Sequence, residues 1–399
     1  MESNPAATVR VRKGRAKPLF YRHPWIFSGA VERIDGEFEA GDIVDVLDHD
    51  GAFIGRGYIN AESTILVRLL TWDKDECIDP DFWRRRISRA VEMRVGLLNL
   101  PARTNAYRLI FSEADFLPGL IVDRYGSCLV AQLLTAGVNA RRDEILSILE
   151  EVCTPTTIIE RNESSYQEAE GASPGGLARG AEIEGPVEIN ENGLRFLVDV
   201  WKGQKTGFYL DQRENRMAAA QLAEGKNVLD CFTYTGAFAI YAAKLGRASR
   251  VVAIDSSAAS IELGRENARL NGVENVEFRQ GDVTQEIRVL KESGETFDMA
   301  VLDPPKLAHS RAGVPKASKK YLETNLQAVR ILKPGGILVT CSCSQHIDEA
   351  TLVRLVNQAG REIGRDVQII EYRAQAPDHP VSAACPETKY LKCLICRVV

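Results

Sequence analysis

The sequence lacks the marks of several protein classes. No apolar run approaches the roughly 18 to 20 residues that span a bilayer, and the first residues show no apolar core of a signal peptide. The nine cysteines have no framework spacing, and the five histidines have no metal-ligand spacing. We therefore expect a cytoplasmic protein that keeps its thiols reduced, without a membrane segment and without a metal ion.

A large excess of charge is also missing. The net charge is −5, which argues against attraction of nucleic acid by the surface as a whole. The first 30 residues differ, because they hold six basic side chains against the single acid Glu2. This segment is either a solvated, partly disordered arm or a surface that follows a phosphate backbone. Its aromatic residues belong to a core or stack on bases; they are Phe20, Tyr21, Trp25 and Phe27.

Glycine is scarce where a dinucleotide site would need it. The strand at 227–230 leads through a short turn into an apolar helix, which is the order of a nucleotide-binding unit. Only Gly236 is present in that turn, with Thr235 before it, and no Gly-x-Gly-x-x-Gly occurs. A pyrophosphate needs several glycines for close approach of backbone amides. The turn therefore favours S-adenosylmethionine, which has no phosphates, with Asp230 near its ammonium group.

Acidic residues stand at the ends of three consecutive strands. Asp255 follows the next strand, where an acid can accept hydrogen bonds from both ribose hydroxyls. Asp282 follows the third strand and can accept from the adenine amino group. Each acid taken alone is more simply a helix N-cap. Together with Asp230 they predict a cofactor site.

Two strand ends about 40 residues apart offer an acid and a thiol. Asp303 follows one apolar run, and the sequence Thr-Cys-Ser-Cys-Ser at 340–344 follows another. The carboxyl ends of parallel strands line the ligand crevice of open α/β sheets. We therefore expect Asp303 and a cysteine to meet there and to attack a flat substrate covalently.

Three blocks follow one another along the chain. Residues 8–75 hold short strands and a hairpin signal at Asp50-Gly51, which predicts a small β-barrel. Residues 76–186 predict a small α+β domain that ends in a flexible linker at 164–186. Residues 187–399 alternate strands with helices and predict a doubly wound, Rossmann-like α/β sheet. Its seven strands are expected at 227–230, 251–255, 275–278, 299–302, 336–340, 367–372 and 390–398, and two of its helices at 257–270 and 320–332.

The whole chain resembles the bacterial rRNA large subunit methyltransferase I family, which are cytosine-C5 methyltransferases of the class I S-adenosylmethionine-dependent fold. The resemblance spans all three blocks and rests on extended stretches at 22–30, 117–124, 205–213 and 378–380, with the Asp-Pro-Pro-Lys and Ser-Cys-Ser motifs. It implies an N-terminal PUA domain, a central domain and a C-terminal methyltransferase domain. It also implies that the basic N-terminal block binds RNA and that the substrate is large-subunit (23S) rRNA.

The resemblance gives the acid and the thiol their roles. Cytosine C5 is a poor nucleophile, but a thiolate that adds to C6 makes C5 reactive. We assign the thiolate to Cys343, the position of the nucleophile in families that resemble this chain. Cys341 is the alternative, although it lies deeper in the sheet. Asp303 is the expected proton donor to N3, with burial raising its pKa.

Further side chains are candidates for substrate contact, each with a simpler alternative. Lys306 either contacts phosphate or is solvated, and His379 lies near the substrate or only forms a turn. Phe208 and Tyr209 line the cofactor or base pocket, or they pack in the core. The remaining substrate candidates are Pro304, Pro305, Gln212 and Arg213.

Two other functions remain open. An Asp-Pro-Pro motif also suits nitrogen methylation of guanine or adenine, which needs no thiol. The chain can also be an RNA-binding ribosome-assembly factor with a vestigial methyltransferase domain. The sequence leaves open the target nucleotide, naked rRNA or an assembling particle as substrate, and the oligomeric state, a homodimer included.

Overall fold

The computed structural model describes residues 5–162, 170–171, 175–308 and 310–399. Part of the expected linker and His309 lie outside the described residues. The chain forms two compact units, described here one at a time. The first comprises Met1–Ile189, Val198–Leu210 and Pro377–Thr388, and the second comprises Asn190–Leu197, Asp211–Ala376 and Lys389–Val399. Among the described helices, none is both long and apolar enough to cross a membrane.

The first unit begins with a six-stranded sheet of order β2-β6-β5-β4-β1-β3. Its strands are β1 (Ala7–Val11), β2 (Trp25–Phe27), β3 (Val31–Gly36), β4 (Ile43–Leu47), β5 (Phe53–Ile59) and β6 (Ile65–Thr71), with helix α1 (Lys17–Phe20) before β2.

Strand β1 corrects the interpretation of the N-terminus as a solvated, partly disordered arm. It lies between β3 and β4 and pairs with both. Val9 and Val11 are fully buried in the core of this sheet. The alternation of Val with Arg at 9–12 is the pattern of a half-buried strand. The valine side chains face the core, and the arginine side chains face the solvent.

The rest of the first unit is an α+β layer with a five-stranded sheet of order β11-β10-β9-β8-β7. Its elements are α2 (Pro80–Glu92), β7 (Ala106–Phe111), β8 (Leu120–Tyr125), β9 (Cys128–Leu133), α3 (Ala136–Asn139), α4 (Arg142–Cys153), β10 (Thr157–Glu160) and β11 (Gly176–Gly180). Asp79 caps α2 by accepting from the backbone N–H of Phe82. The linker expectation is wrong for residues 176–180, because β11 pairs antiparallel with β10.

Residues 187–198 form a hairpin of β12 (Val187–Glu191) and β13 (Leu194–Val198), and the sheet of the second unit follows. Its strands are β14 (Asn227–Cys231), β15 (Arg250–Asp255), β16 (Val276–Gln280), β17 (Phe297–Leu302), β18 (Leu332–Ser342), β19 (Val367–Arg373) and β20 (Lys392–Val398). Its helices are α5 (Arg213–Ala220), α6 (Ala237–Lys244), α7 (Ala258–Leu270), α8 (Val283–Glu292), α9 (Val314–Ile331) and α10 (Glu349–Arg361).

The doubly wound, seven-stranded sheet predicted from the sequence is confirmed. The strand order is β16-β15-β14-β17-β18-β20-β19. The first five strands are parallel, and β20 runs antiparallel to both of its neighbours. The chain moves outward from β14 through β15 in one direction and from β17 through β18 in the other. The topological switch point, where open α/β sheets bind ligands, therefore lies between β14 and β17.

Two boundaries near the switch point differ from the prediction. Helix α9 begins at Val314 rather than Lys320. Strand β18 begins at Leu332 rather than at residue 336, so the Lys-Pro-Gly-Gly segment at 333–336 belongs to the strand. Leu332 pairs with Phe297, and the register then shifts before Met299 pairs with Ile337. The Pro-Gly pair therefore forms an irregularity inside the ladder rather than its end.

Candidate active site

Asp230 and Asp303 stand at the switch point. Asp230 is the fourth residue of β14, and Asp303 follows Leu302, the last residue of β17. The two strands are hydrogen-bonded neighbours, with Cys231 opposite Leu302. The structure therefore brings the first acid of the expected cofactor site to the strand that carries the expected catalytic acid.

Asp230 is buried and incompletely satisfied. Its Oδ2 accepts from the Thr233 hydroxyl at 2.5 Å and from the backbone N–H of Ala239 at 3.0 Å. Its Oδ1 is buried and has no hydrogen-bond partner among the described residues. Burial raises the pKa of Asp230 to about 7. An ammonium group would supply the missing donor and charge, so this carboxylate fits the role expected for it.

The turn after β14 has an unusual backbone. Phe232 and Tyr234 have φ angles of +62° and +51°, and Gly236 has +81°. Left-handed conformations at non-glycine residues are costly and cluster at functional sites. The sequence pattern, which shows one glycine here, did not reveal that alternate residues share this conformation.

Gly236 and Thr235 complete this turn. Gly236 precedes α6, and a Cβ atom there would lie 2.9 Å from the ring of Phe278. The hydroxyl of Thr235 is buried without a hydrogen-bond partner in the described part of the chain. The β14 strand and the turn after it thus hold two unpartnered buried polar atoms, on Asp230 and Thr235, which points to a polar ligand.

Asp255 and Asp282 are held differently. Asp255 accepts backbone N–H bonds from Tyr234 and Ser257, each at 2.9 Å, and is half-buried. It therefore ties the strained turn to the end of β15. Asp282 is exposed and caps α8 by accepting from the backbone N–H of Gln285 at 3.0 Å. The N-cap interpretation is confirmed for Asp282, and a capping carboxylate still has lone pairs for a ligand.

The two cysteines of the thiol motif lie in different environments. Cys341 is fully buried within β18 and stands directly opposite Cys393 of β20. A hydrogen bond with Cys393, together with burial, raises the pKa of the Cys341 thiol well above its ordinary value. Cys343 follows the last residue of β18 and is half-buried. Of the two, Cys343 has the position suited to a nucleophile.

Ser344 joins the two strand ends. Its Oγ accepts from the backbone N–H groups of Leu307 and Ala308, at 3.1 and 3.2 Å. These residues follow the Asp-Pro-Pro-Lys motif, so the loop after Asp303 is bonded to the residue next to Cys343. The sequence motif contained Ser344, but nothing in its spacing showed this role.

Asp303 itself is positioned by Gln212. The Gln212 side chain donates from Nε2 to Oδ1 of Asp303 at 2.9 Å. Asp303 is half-buried, and Pro304 after it is buried. Pro305 and Lys306 are exposed, as expected for residues that can meet a large substrate.

Arg213 is not suited to direct substrate contact. Its side chain is fully buried, and its Nε lies 3.4 Å from Oε1 of Glu214. This burial could not be predicted from the sequence, because an arginine at the start of a helix is usually solvated. We therefore leave Arg213 out of the proposed substrate contacts.

Lys392 is a residue of this site that sequence reasoning missed. It is 5% exposed, and its Nζ donates to the carbonyl oxygens of Ser344 and Tyr390, both at 2.7 Å. Burial lowers the pKa of Lys392 to about 8. A buried lysine beside the residue that follows Cys343 is part of the nucleophile's surroundings.

Three expected residues lie in the first unit. Phe208 is buried, in accord with core packing, and Tyr209 is half-buried with the Lys205 ammonium 4.4 Å from its ring centre. His379 is buried, with its ring 5.4 Å from that of Phe111. The surroundings of Phe208 and His379 are those of residues packed in a core.

The first unit also contains a cluster of side chains that can bind metals. His23, Cys385 and Glu387 offer ligand atoms within 4.8 Å of one another. The backbone N–H of Trp25 donates to Nδ1 of His23 at 3.2 Å, so the proton of a neutral ring sits on Nε2. That nitrogen lies 3.3 Å from Glu387, and its lone pair is not available to a metal. We interpret the cluster as a link between distant chain segments.

Two family models and several curated proteins match this chain. Residues 9–72 match the model of the PUA-like domain, and residues 176–396 match that of the S-adenosylmethionine-dependent methyltransferases. The ribosomal RNA large subunit methyltransferase I of Shewanella denitrificans is 43% identical over 98% of this chain and 100% of its own. The protein of the same name from Aeromonas hydrophila is 43% identical over 98% and 99%.

Solved structures agree in fold. A Streptococcus mutans protein described as an S-adenosylmethionine-dependent methyltransferase superposes with a TM-score of 0.84 at 20% identity, covering 98% of this chain and 99% of its own. A methyltransferase crystallised with SAH gives a TM-score of 0.86 at 21% identity, with the same coverage. Because residues 176–396 match the S-adenosylmethionine-dependent methyltransferase model, S-adenosylmethionine is the cofactor, and the residues at the switch point fit it. The chain belongs to the ribosomal RNA large subunit methyltransferase I family of S-adenosylmethionine-dependent methyltransferases.

Proposed function

We propose that this protein forms 5-methylcytosine in large-subunit (23S) rRNA through a covalent bond between Cys343 and C6 of the base. The observation that carries the proposal is that a half-buried thiol and the carboxyl group of Asp303 stand at the ends of neighbouring strands, whose loops are joined by Ser344. The names of the relatives, which are ribosomal RNA large subunit methyltransferases, support the substrate class. A cytoplasmic location follows from that substrate.

The chain's own residues provide most of this chemistry. The Cys343 thiolate forms the S–C6 bond, and the C5=C6 electron pair moves into the ring. Asp303 donates a proton to N3, which relieves the developing charge, and recovers it when the ring regains its aromatic form. S-adenosylmethionine supplies the methyl group that C5 takes up. The C5 proton passes to solvent water, its electron pair restores the C5=C6 double bond, and the C6–S bond breaks to return the thiolate.

Six residues are proposed to hold the cofactor, and Asp303 is one of them in addition to its catalytic role. Asp230 pairs with the ammonium group, and Thr235 and Gly236 form the turn beside it. Asp255 accepts from the ribose hydroxyls, and Asp282 accepts from the adenine amino group. The unpartnered buried atoms of Asp230 and Thr235 support this assignment.

The N-terminal sheet supplies a surface for RNA. Phe20, Tyr21 and Phe27 are large hydrophobic residues with half or more of their area exposed. The basic residues around them are exposed as well: Arg12, Lys13, Arg15, Lys17 and Arg22. Exposed aromatic and basic side chains together suit stacking on bases and contact with phosphates. In the second unit, exposed Lys306 is a further candidate for phosphate contact.

Replacement of single thiols tests the mechanism. Purified wild-type protein, Cys343→Ala and the matched control Cys341→Ala would each be incubated with large-subunit rRNA and S-adenosylmethionine. Mass spectrometry of the nucleosides should find 5-methylcytosine with the wild type and Cys341→Ala but not with Cys343→Ala. On RNA containing 5-fluorocytosine, the first two should form a covalent adduct, because fluorine does not leave as a proton does.

The same experiment separates the alternatives. A fully active Cys343→Ala would overturn the covalent mechanism, and a methylated guanine or adenine among the products would establish nitrogen methylation instead. Absence of S-adenosylmethionine binding by calorimetry would favour an RNA-binding assembly factor without catalysis.

A further inference from the structure

Lys392 occupies an unusual place beside the nucleophile. It is the first residue of β20 and pairs in register with Ser342, the last residue of β18. Its Nζ lies 2.7 Å from the carbonyl oxygen of Ser344, the residue directly after Cys343. Lys392 also interacts electrostatically with Cys343. A buried amine therefore stands next to the loop that holds the thiol.

The hydrogen bonds of Lys392 suit an uncharged amine as well as an ammonium group. A neutral amine has two N–H donors and one lone pair, whereas an ammonium group has three donors. The carbonyl oxygens of Ser344 and Tyr390 accept two hydrogens. The remaining position on the nitrogen can therefore be a lone pair or a third N–H.

The charges around Lys392 are mixed. The pKa of Lys392 is lowered to about 8, mainly by burial, and Lys389 acts in the same direction. Cys343, Asp348 and Glu349 oppose this shift. Near neutral pH the amine is therefore able both to accept and to release a proton.

Other groups near the thiol are less suited to take its proton. The hydroxyl of Tyr321 lies 3.3 Å from the Ser344 hydroxyl, and burial raises its pKa to about 12, so it remains protonated. His346, three residues beyond Cys343, is exposed. Asp303 is already assigned to N3 of the base.

We propose that Lys392 accepts the thiol proton of Cys343 and then holds the thiolate as an ion pair. The S–H bond breaks with its electron pair left on sulfur, and the proton forms the third N–H bond of the ammonium group. When the C6–S bond later breaks, the thiolate returns beside the same ammonium group. The inference rests on the proposed function, in which Cys343 is the nucleophile. Lys392 does not contact the base in this proposal and acts on the reaction only through the Cys343 thiol.

Thiol reactivity tests the pair without any methyl transfer. Full-length wild type, Lys392→Met, Lys392→Arg and the matched control Lys389→Met would be treated with iodoacetamide from pH 5.5 to 9.5. Mass spectrometry would follow alkylation of Cys343 alone. The wild type should show an apparent thiol pKa clearly below the ordinary value of about 8.5. Lys392→Met should raise it by about one unit or more, which slows alkylation roughly tenfold at pH 7.

Two control variants test whether a change in the thiol pKa comes from loss of the Lys392 cation. Lys389→Met removes an exposed lysine from the same segment and should leave the profile within a few tenths of a pH unit of the wild type. Lys392→Arg keeps a cation and should keep the pKa low. A wild-type thiol pKa at or above about 8.5, or an unchanged profile in folded Lys392→Met, would overturn the inference. The thiol pKa of the wild type still tests the inference if Lys392→Met does not fold.

The outcome is separable from the proposed function. If Lys392→Met leaves the alkylation profile unchanged while wild-type protein still forms the adduct on 5-fluorocytosine RNA, only the role of Lys392 fails. If Cys343→Ala remains fully active, the covalent mechanism fails, whatever the thiol pKa.

Discussion

Gln212 donates a hydrogen bond from Nε2 to Oδ1 of Asp303 at 2.9 Å, and Asn215 fixes the orientation of that amide. The Asn215 Nδ2 donates to Oε1 of Gln212 at 2.6 Å. Since Oε1 must accept, Nε2 is the atom turned toward Asp303. A residue of the segment before α5 thus sets the rotamer of the carboxyl group at the end of β17.

Replacing Gln212 by Leu should therefore impair turnover rather than cofactor binding. Without this donor, the Asp303 carboxyl group loses a hydrogen bond that orients it, and we expect kcat to fall about 10- to 100-fold. Affinity for S-adenosylmethionine, measured by calorimetry, should stay within about twofold. Gln358→Leu, at an exposed amide on α10, is the matched control. If kcat of Gln212→Leu equals that of the wild type, Asp303 does not depend on the hydrogen bond from Gln212.

The buried carboxylate of Asp230 should make stability depend on pH. Its folded pKa of about 7 lies above the ordinary aspartate value of 3.8, so the folded state binds the proton more tightly. Its contribution to the free energy of unfolding is complete below pH 3.8, falls as the pH rises toward 7, and stays low above it. Affinity for a cofactor bearing an ammonium group should rise through the same interval as the carboxylate ionises.

Asp230→Asn should remove both dependences. The amide oxygen can still accept from Thr233 and Ala239, while the charge is gone. Urea denaturation at pH 6 and pH 8 should show a smaller loss of stability in the variant than in the wild type, and calorimetry should show S-adenosylmethionine binding weakened at least tenfold at pH 8. Equal pH profiles in both proteins would contradict the assigned titration.

Gly236→Ala should destabilise the fold through two separate effects. An L-residue at φ +81° costs roughly 1–2 kcal/mol, and the new Cβ would lie 2.9 Å from the Phe278 ring. We expect a loss of roughly 2–4 kcal/mol in the free energy of unfolding. Gly225→Ala is the matched control, because Gly225 has φ +67° and nothing within 4 Å of the added atom; it should lose about 1 kcal/mol.

A second substitution separates these two effects. In a Phe278→Leu background, the cost of Gly236→Ala should fall toward that of Gly225→Ala, because the steric part is relieved and the dihedral part remains. Chemical denaturation of the four proteins forms a double-mutant cycle. Additive costs would mean that Phe278 is not the obstacle.

Ser344→Ala should loosen the loop after Asp303. The backbone N–H groups of Leu307 and Ala308 lose their shared acceptor, and we expect a cost of about 1–3 kcal/mol in stability. Amide hydrogen exchange should quicken at residues 307 and 308. Ser256→Ala, at an exposed serine, should change neither quantity. Unaltered exchange at these amides would remove Ser344 from its linking role.

The sequence predicted the parts of this molecule that depend on local pattern. The apolar runs before Asp303 and Cys343 are buried strands because a parallel sheet covered on both faces needs such runs. The alternation of hydrophobic residues at Val9 and Val11 also indicates a strand, but the many basic residues around them favoured the interpretation as a solvated arm.

What the sequence did not predict depends on strand order and register. Lys392 lies 48 residues beyond Ser344, and only the antiparallel insertion of β20 beside β18 brings them together. The bond between Gln212 and Asp303 spans 91 residues and has no local signature. The left-handed Phe232 and Tyr234 oppose ordinary residue preferences, so a conformation imposed by the site could not be deduced from propensity.

A buried oxygen that binds an ammonium group cannot distinguish the methyl donor from its demethylated product, since both keep that group. If Asp230 holds that group as proposed, the binding energy gained there is the same before and after transfer and does not accelerate the chemical step. A preference for the methyl donor over its demethylated product has to come from contacts near the sulfur atom. An enzyme anchored in this way is expected to be inhibited by the product it releases, so its rate in a cell depends on how quickly that product is removed.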